Sequence, residues 1–79
     1  MSKQSFPSMK ANDLLAVLMR APLSYTIVRQ EGSHRQLRAT GRPGLLFSYG
    51  KGATVPPGVV RKILVKDVGL SAEEALSLL

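Results

Sequence analysis

The sequence predicts an α+β domain that runs helix, three antiparallel strands, helix, with the two helices packed on one face of the sheet and a short helix at the C-terminus. Three observations carry that prediction. Ala11, Leu14, Leu15 and Leu18 recur at i, i+3, i+4 and i+7, the spacing of an amphipathic helix. Between Tyr25 and Tyr49, short runs rich in β-branched and aromatic residues are separated by Glu31-Gly32-Ser33 and Gly41-Arg42-Pro43-Gly44, which are turn signals. After Pro56-Pro57-Gly58, apolar residues return at helical spacing in Val60, Ile63 and Leu64. A chain of 79 residues has room for one such domain and no second core.

Each element has a local reason. Met1 to Pro7 is polar and reads as a loose, flexible tail, which leaves 8–79 as the single domain. Ser8 is placed to cap the first helix, and Pro22 ends it because proline cannot donate the next helical hydrogen bond. Tyr25 to Gln30 reads as the first strand and His34 to Thr40 as its antiparallel return. Leu45 to Tyr49 is the third strand, with Leu45, Phe47 and Tyr49 on one side. Pro57 suits the first turn of a helix over Val59 to Val68, whose face follows Val60, Ile63, Leu64 and Asp67 or Val68. Gly69 stops that helix, and Ser71-Ala72-Glu73-Glu74 has the form of a capping box opening the last one.

Composition narrows the function. Eleven basic residues against five acidic ones give a net charge of +6, a footprint of proteins that neutralise phosphates. With no cysteine there is neither a disulfide framework nor a thiolate metal site. One histidine and five scattered acids make a poor ligand set for a transition metal, so any hydrolytic chemistry is expected to need no metal and no cofactor. The apolar run Leu14 to Met19 follows Asp13 and is too short to span a membrane or act as a leader. Cytoplasmic residence is the expectation, with no membrane partner.

Candidate chemistry centres on Gly32-Ser33-His34, which holds the one histidine. Histidine titrates near neutrality and can accept or donate a proton under cellular conditions. On a strand, His34, Gln36 and Arg38 point to one face, and Arg35, Leu37 and Ala39 to the other. Arg38 is the best placed cation for a phosphate, because guanidinium grips two oxygens at once. Arg35 points away unless a bulge re-aims it. Lys51, between Gly50 and Gly52, is a further phosphate candidate, with Arg42 and Arg61 behind it; the P-loop spacing is absent. An isolated histidine beside a turn is more often simply solvated, so the triplet alone does not settle its role.

Three segments in order carry a family resemblance. Arg29-Gln30-Glu31-Gly32-Ser33-His34, then Val55-Pro56-Pro57-Gly58-Val59-Val60-Arg61-Lys62-Ile63-Leu64, then Val68-Gly69-Leu70-Ser71-Ala72-Glu73-Glu74 resemble the HicA toxin family, from about Lys10 to the C-terminus. The resemblance implies a double-stranded-RNA-binding-like fold. It implies a toxin of a toxin–antitoxin pair, a small endoribonuclease that cleaves messenger RNA and is neutralised by a HicB-like antitoxin. It puts the catalytic histidine at His34, with Ser33 beside it in the motif. Many members of that family carry a second histidine after the third strand, where this chain has Ser48-Tyr49-Gly50-Lys51, and an aromatic after the first helix, where it has Ala21-Pro22-Leu23.

RNA brings its own nucleophile, the 2′-OH beside the scissile phosphate. A metal-free enzyme needs a base for that proton, cations for the phosphorane and an acid for the leaving 5′-oxygen. His34 is the candidate base; water or Tyr49 is left as the acid. Two alternatives use the same charge: an RNA-binding module without chemistry, and a domain whose basic face binds an acidic protein.

Overall fold

In the computed structural model, which describes residues 5–79, the chain enters through a two-residue strand, β1 (Met9–Lys10). Helix α1 (Ala11–Met19) starts directly from it, and Lys10 rather than Ser8 occupies the capping position, with no side-chain cap. The role expected of Ser8 is thus overturned. Residues 9 and 10 are extended because they pair with β5 (Thr54–Val55), Met9 opposite Val55 and Lys10 opposite Thr54. The Ala11 N–H donates to Ala53 O at 2.9 Å, so one N–H at the start of the helix is satisfied by the residue just before β5 and not by a serine side chain. Residues 1–4 of the expected tail lie outside the described residues. Phe6, from the same stretch, is buried in the core.

The middle of the chain forms β2 (Thr26–Glu31), β3 (His34–Arg38) and β4 (Leu45–Phe47), an antiparallel sheet in the order β2-β3-β4. The strand over His34 to Thr40 ends two residues early, and the one over Leu45 to Tyr49 likewise. Leu37 of β3 and Leu45 and Phe47 of β4 are buried, all on one face. Facing them are Ala11, Leu14, Val17 and Leu18 of α1 and Val60, Ile63, Leu64 and Val68 from the C-terminal part, in one continuous apolar cluster. Burying one large aliphatic or aromatic side chain stabilises by roughly 1.5–3 kcal/mol, so this cluster is the main source of stability. The stripe on α1 differs in one place: Val17 is buried and Leu15 only partly.

Helix α2 (Pro57–Arg61) begins with proline in its first turn, as its missing N–H allows. It then widens into a π-helical segment over Lys62–Asp67. The wider turn shows in the Val68 N–H donating to Ile63 O at 2.9 Å, five residues back, and in the Lys62–Asp67 ion pair at 3.4 Å. Gly69, at φ +94°, then reverses the chain. Helix α3 (Ala72–Ser77) opens with the capping box as the sequence predicts: Glu74 N–H donates to Ser71 Oγ and Ser71 N–H to Glu74 Oε1, both at 3.0 Å. Its C-terminal end is held to α1 by Arg20, whose guanidinium donates to Leu78 O at 3.0 Å. Among the described residues, no helix is long and apolar enough to cross a membrane.

Candidate functional site

The sheet face away from the core cluster carries the candidate chemistry. It is built by the β2-β3 hairpin, whose two-residue connection is Gly32-Ser33 between paired Glu31 and His34. Gly32 has φ +59°, the left-handed conformation a tight hairpin requires at its first central residue, which glycine adopts without steric cost. The Gln30 amide donates to Gly32 O at 3.2 Å and braces the turn. His34 is therefore the first residue of β3, fixed in register by the turn that precedes it. It is exposed, as are Gln36 and Arg38 on the same face, while Leu37 between them is fully buried. The alternation read from the sequence holds.

Cross-strand pairing decides which residues surround the histidine. Glu31 lies opposite His34, and Arg29 opposite Gln36, which in turn lies opposite Leu46. Arg29, Glu31, His34, Gln36 and Leu46 line one open cleft of about 220 Å³. The Arg29 guanidinium stands 3.9 Å from the Glu31 carboxylate, with both side chains largely in solvent. Such an exposed pair contributes about 0–1 kcal/mol, so either partner is free to take up a ligand.

Arg29 and Glu31 are the residues that strand alternation misses. The register shifts between Ile27 and Arg29, so that Val28 is an extra residue in β2. Ile27 pairs with core-facing Leu37 and Thr26 with Arg38, so counting forward from Tyr25 without the bulge puts Arg29 on the wrong face. The signal that finds them is the turn: counting back from Gly32-Ser33 sets Glu31 against His34 and Arg29 against Gln36.

The other expected site residues fall elsewhere. Arg38 shares the face of His34, yet four residues at strand rise separate them by about 13 Å. It lines a separate depression with Thr26, Ala39 and Thr40. Arg35 points to the opposite face, and its guanidinium donates to Tyr49 O at 3.2 Å, tying β3 to the chain beyond β4. The bulge lies in β2 and does not re-aim it. Tyr49 packs against Phe47 with ring centroids 6.0 Å apart, partly buried against the core. It is therefore on the covered side of the sheet, away from the cleft, and the role of acid left open to it is withdrawn. Ser33 is exposed at the turn, with Gly50 close by: a Cβ on that glycine would lie 3.8 Å from Ser33 Cβ. Lys51 is exposed on the loop after β4 and does not line the cleft. Arg61 is exposed on α2, and Arg42 is half-buried in the loop that holds Tyr25.

The tyrosine that this loop holds is a shifted group. The Tyr25 ring is buried and its hydroxyl donates to Pro43 O at 2.7 Å. Burial pushes the phenol up from its ordinary value of 10.0; Arg42 opposes the shift and Asp67 adds to it. This is a structural tyrosine on the core side of the sheet. Comparison with protein-family models, curated proteins and solved structures gave no match for this chain.

Proposed function

We propose that the protein is a HicA-like endoribonuclease, a toxin of a toxin–antitoxin pair that cleaves messenger RNA without a metal ion and is neutralised by a HicB-like antitoxin. The observation that carries this reading is the cleft around His34. A proton-transfer side chain, a guanidinium and an amide line one solvent-open depression, on the sheet face away from the core. Those three groups are what in-line displacement at a phosphodiester calls for: a proton carrier, a cation for charge developing on the non-bridging oxygens, and a neutral donor to orient them. Arg29 takes the phosphate role first given to Arg38, because it lines the cleft of the histidine. Arg38, farther along the strand with Thr26 and Thr40, suits the backbone of a flanking nucleotide.

Helices on one face and a free ligand face on the other agree with the double-stranded-RNA-binding-like arrangement that the resemblance implies. The net charge of +6 favours a polyanion. Leu46, which lines the cleft, is 60% exposed, and Val28, at the bulge next to Arg29 in sequence, is 54% exposed. Solvated apolar side chains next to a charged cleft suit coverage by a protein, which supports an antitoxin seated there.

The test is incubation of the purified chain and its His34→Ala variant with a defined single-stranded RNA in EDTA, reading the product ends. The proposal expects 2′,3′-cyclic phosphate ends from the wild type and none from the variant. RNA bound but uncut by both proteins would replace the ribonuclease with an RNA-binding module. Loss of wild-type cleavage in EDTA would sink the metal-free mechanism.

A further inference from the structure

We infer that Glu31 is the general base of this site and His34 its general acid. The inference rests on the ribonuclease reading above and supplies the second proton-transfer group that reading lacks. Cleavage by the 2′-OH moves two protons at two oxygens on opposite sides of one phosphorus, and a single imidazole serves both only by changing place. The cleft contains one other side chain whose chemistry lets it take up a proton, the carboxylate of Glu31. Arginine stays protonated throughout, and the glutamine amide and the leucine carry no labile charge. Glu31 lines the same cleft. It is the direct cross-strand partner of His34, on the same face and at the closed end of the hairpin, where the Gly32-Ser33 turn fixes both strands. Directly opposed strand residues have Cβ atoms about 4.5–5.5 Å apart, a span that leaves two side chains reaching for different oxygens of one bound group.

The division of labour follows from the chemistry of the two groups. At neutral pH an exposed carboxylate offers lone pairs and no proton, while imidazolium offers an N–H. Glu31 takes the 2′-OH proton as the 2′-oxygen bonds to phosphorus. The bond from phosphorus to the 5′-oxygen breaks, and the His34 N–H proton passes to that oxygen. The products are a 2′,3′-cyclic phosphate and a 5′-OH, with Glu31 left protonated and His34 neutral; exchange with water restores both. Arg29 stands 3.9 Å from the Glu31 carboxylate in the free protein. When a phosphate enters, the guanidinium turns to the non-bridging oxygens and leaves the carboxylate free to act as base.

A leaving-group experiment separates the two roles. The substrates are one oligoribonucleotide with a normal 5′-oxygen at the scissile bond and the same sequence with a 5′-bridging sulfur, which departs as thiolate without an acid. Affinity is read separately with the 2′-deoxy analogue, which cannot be cut. Glu31→Gln should lose about 10²–10⁴-fold in cleavage of both substrates while binding the analogue. His34→Ala should lose as much on the oxygen substrate and recover most of it on the sulfur one. Glu31→Asp, which keeps the carboxylate one methylene farther back, should retain part of the activity. A Glu31→Gln enzyme as fast as wild type would overturn the inference while leaving His34 in the mechanism. So would a Glu31→Gln defect repaired by sulfur, or a His34→Ala defect that sulfur leaves unrepaired. A wild type that cuts neither substrate would instead remove the ribonuclease reading itself.

Discussion

The two faces of the β2-β3-β4 sheet are made by the same strands and obey opposite constraints. On one face Leu37, Leu45 and Phe47 are 0%, 7% and 1% exposed and meet the helices. On the other, Glu31 faces His34 and Arg29 faces Gln36 and Leu46, all in contact with solvent. Exclusion of water fixes the first face, since each side chain has one shape to fill. The second face is held only by the register of the strands, which leaves its groups aligned but free to change partners. The residues that hold the fold and the residues proposed for chemistry therefore alternate along a single strand.

The sharpest test of that separation is a pair of neighbouring substitutions. His34→Ala should reduce RNA cleavage by about 10²–10⁴-fold and leave the urea midpoint of unfolding where it was. Phe47→Ala, one strand over and on the covered face, should cost about 3–5 kcal/mol of stability. Small domains have about 0.05–0.15 kcal/mol of stability per residue, so that variant should unfold at much lower urea concentration than the wild type. A His34→Ala variant that melted like Phe47→Ala would break the division between the faces.

Within the open face, the two arginines should differ in kind. Arg29→Ala should lower the cleavage rate of bound RNA, because Arg29 lines the histidine's cleft. Arg38→Ala should leave that rate alone, weaken RNA binding and reduce the slope of log affinity against log salt by about one. Single-turnover cleavage and a salt titration of binding distinguish them. Equal effects on rate would mean that the face acts as one surface and not as a cleft with a flank.

Smaller effects belong to the C-terminal part. Ser71→Ala should cost about 1 kcal/mol by removing the hydroxyl that accepts from the Glu74 N–H. The paired titration prediction concerns Glu74, whose carboxylate is held below its ordinary value of 4.5 chiefly by the Ser71 N–H and hydroxyl. A depressed carboxylate contributes stability above its unfolded value, and the contribution is lost as pH falls through the folded value. Acid unfolding of Ser71→Ala should therefore run closer to that of Glu74→Gln than the wild type does. Tyr25 gives the opposite sign. Its raised phenol stabilises the fold fully below pH 10.0 and loses that contribution as pH rises through the folded value. An alkaline titration followed by circular dichroism should show the loss in the wild type and not in Tyr25→Phe.

What the sequence determined by itself is local. Helical spacing located α1 and the start of the C-terminal helix, and the Ser71 and Glu74 side chains mark where the last helix begins. The Gly32-Ser33 turn and the alternation after it assigned His34, Gln36 and Arg38 to solvent and Leu37 to the core, because side chains on a strand have a strict period of two. Tertiary structure decided what depends on partners distant in sequence. Lys10 could have been read as helix, but Thr54 draws it into a strand. Asp67 and Val68 compete for the buried face, and the π-helical turn gives it to Val68, which is 3% exposed. Arg29 reaches the histidine's cleft because a bulge at Val28 shifts the register with β3 after Ile27 has paired with core-facing Leu37. In each of these cases the local options are close in energy, and packing elsewhere in the fold supplies the difference.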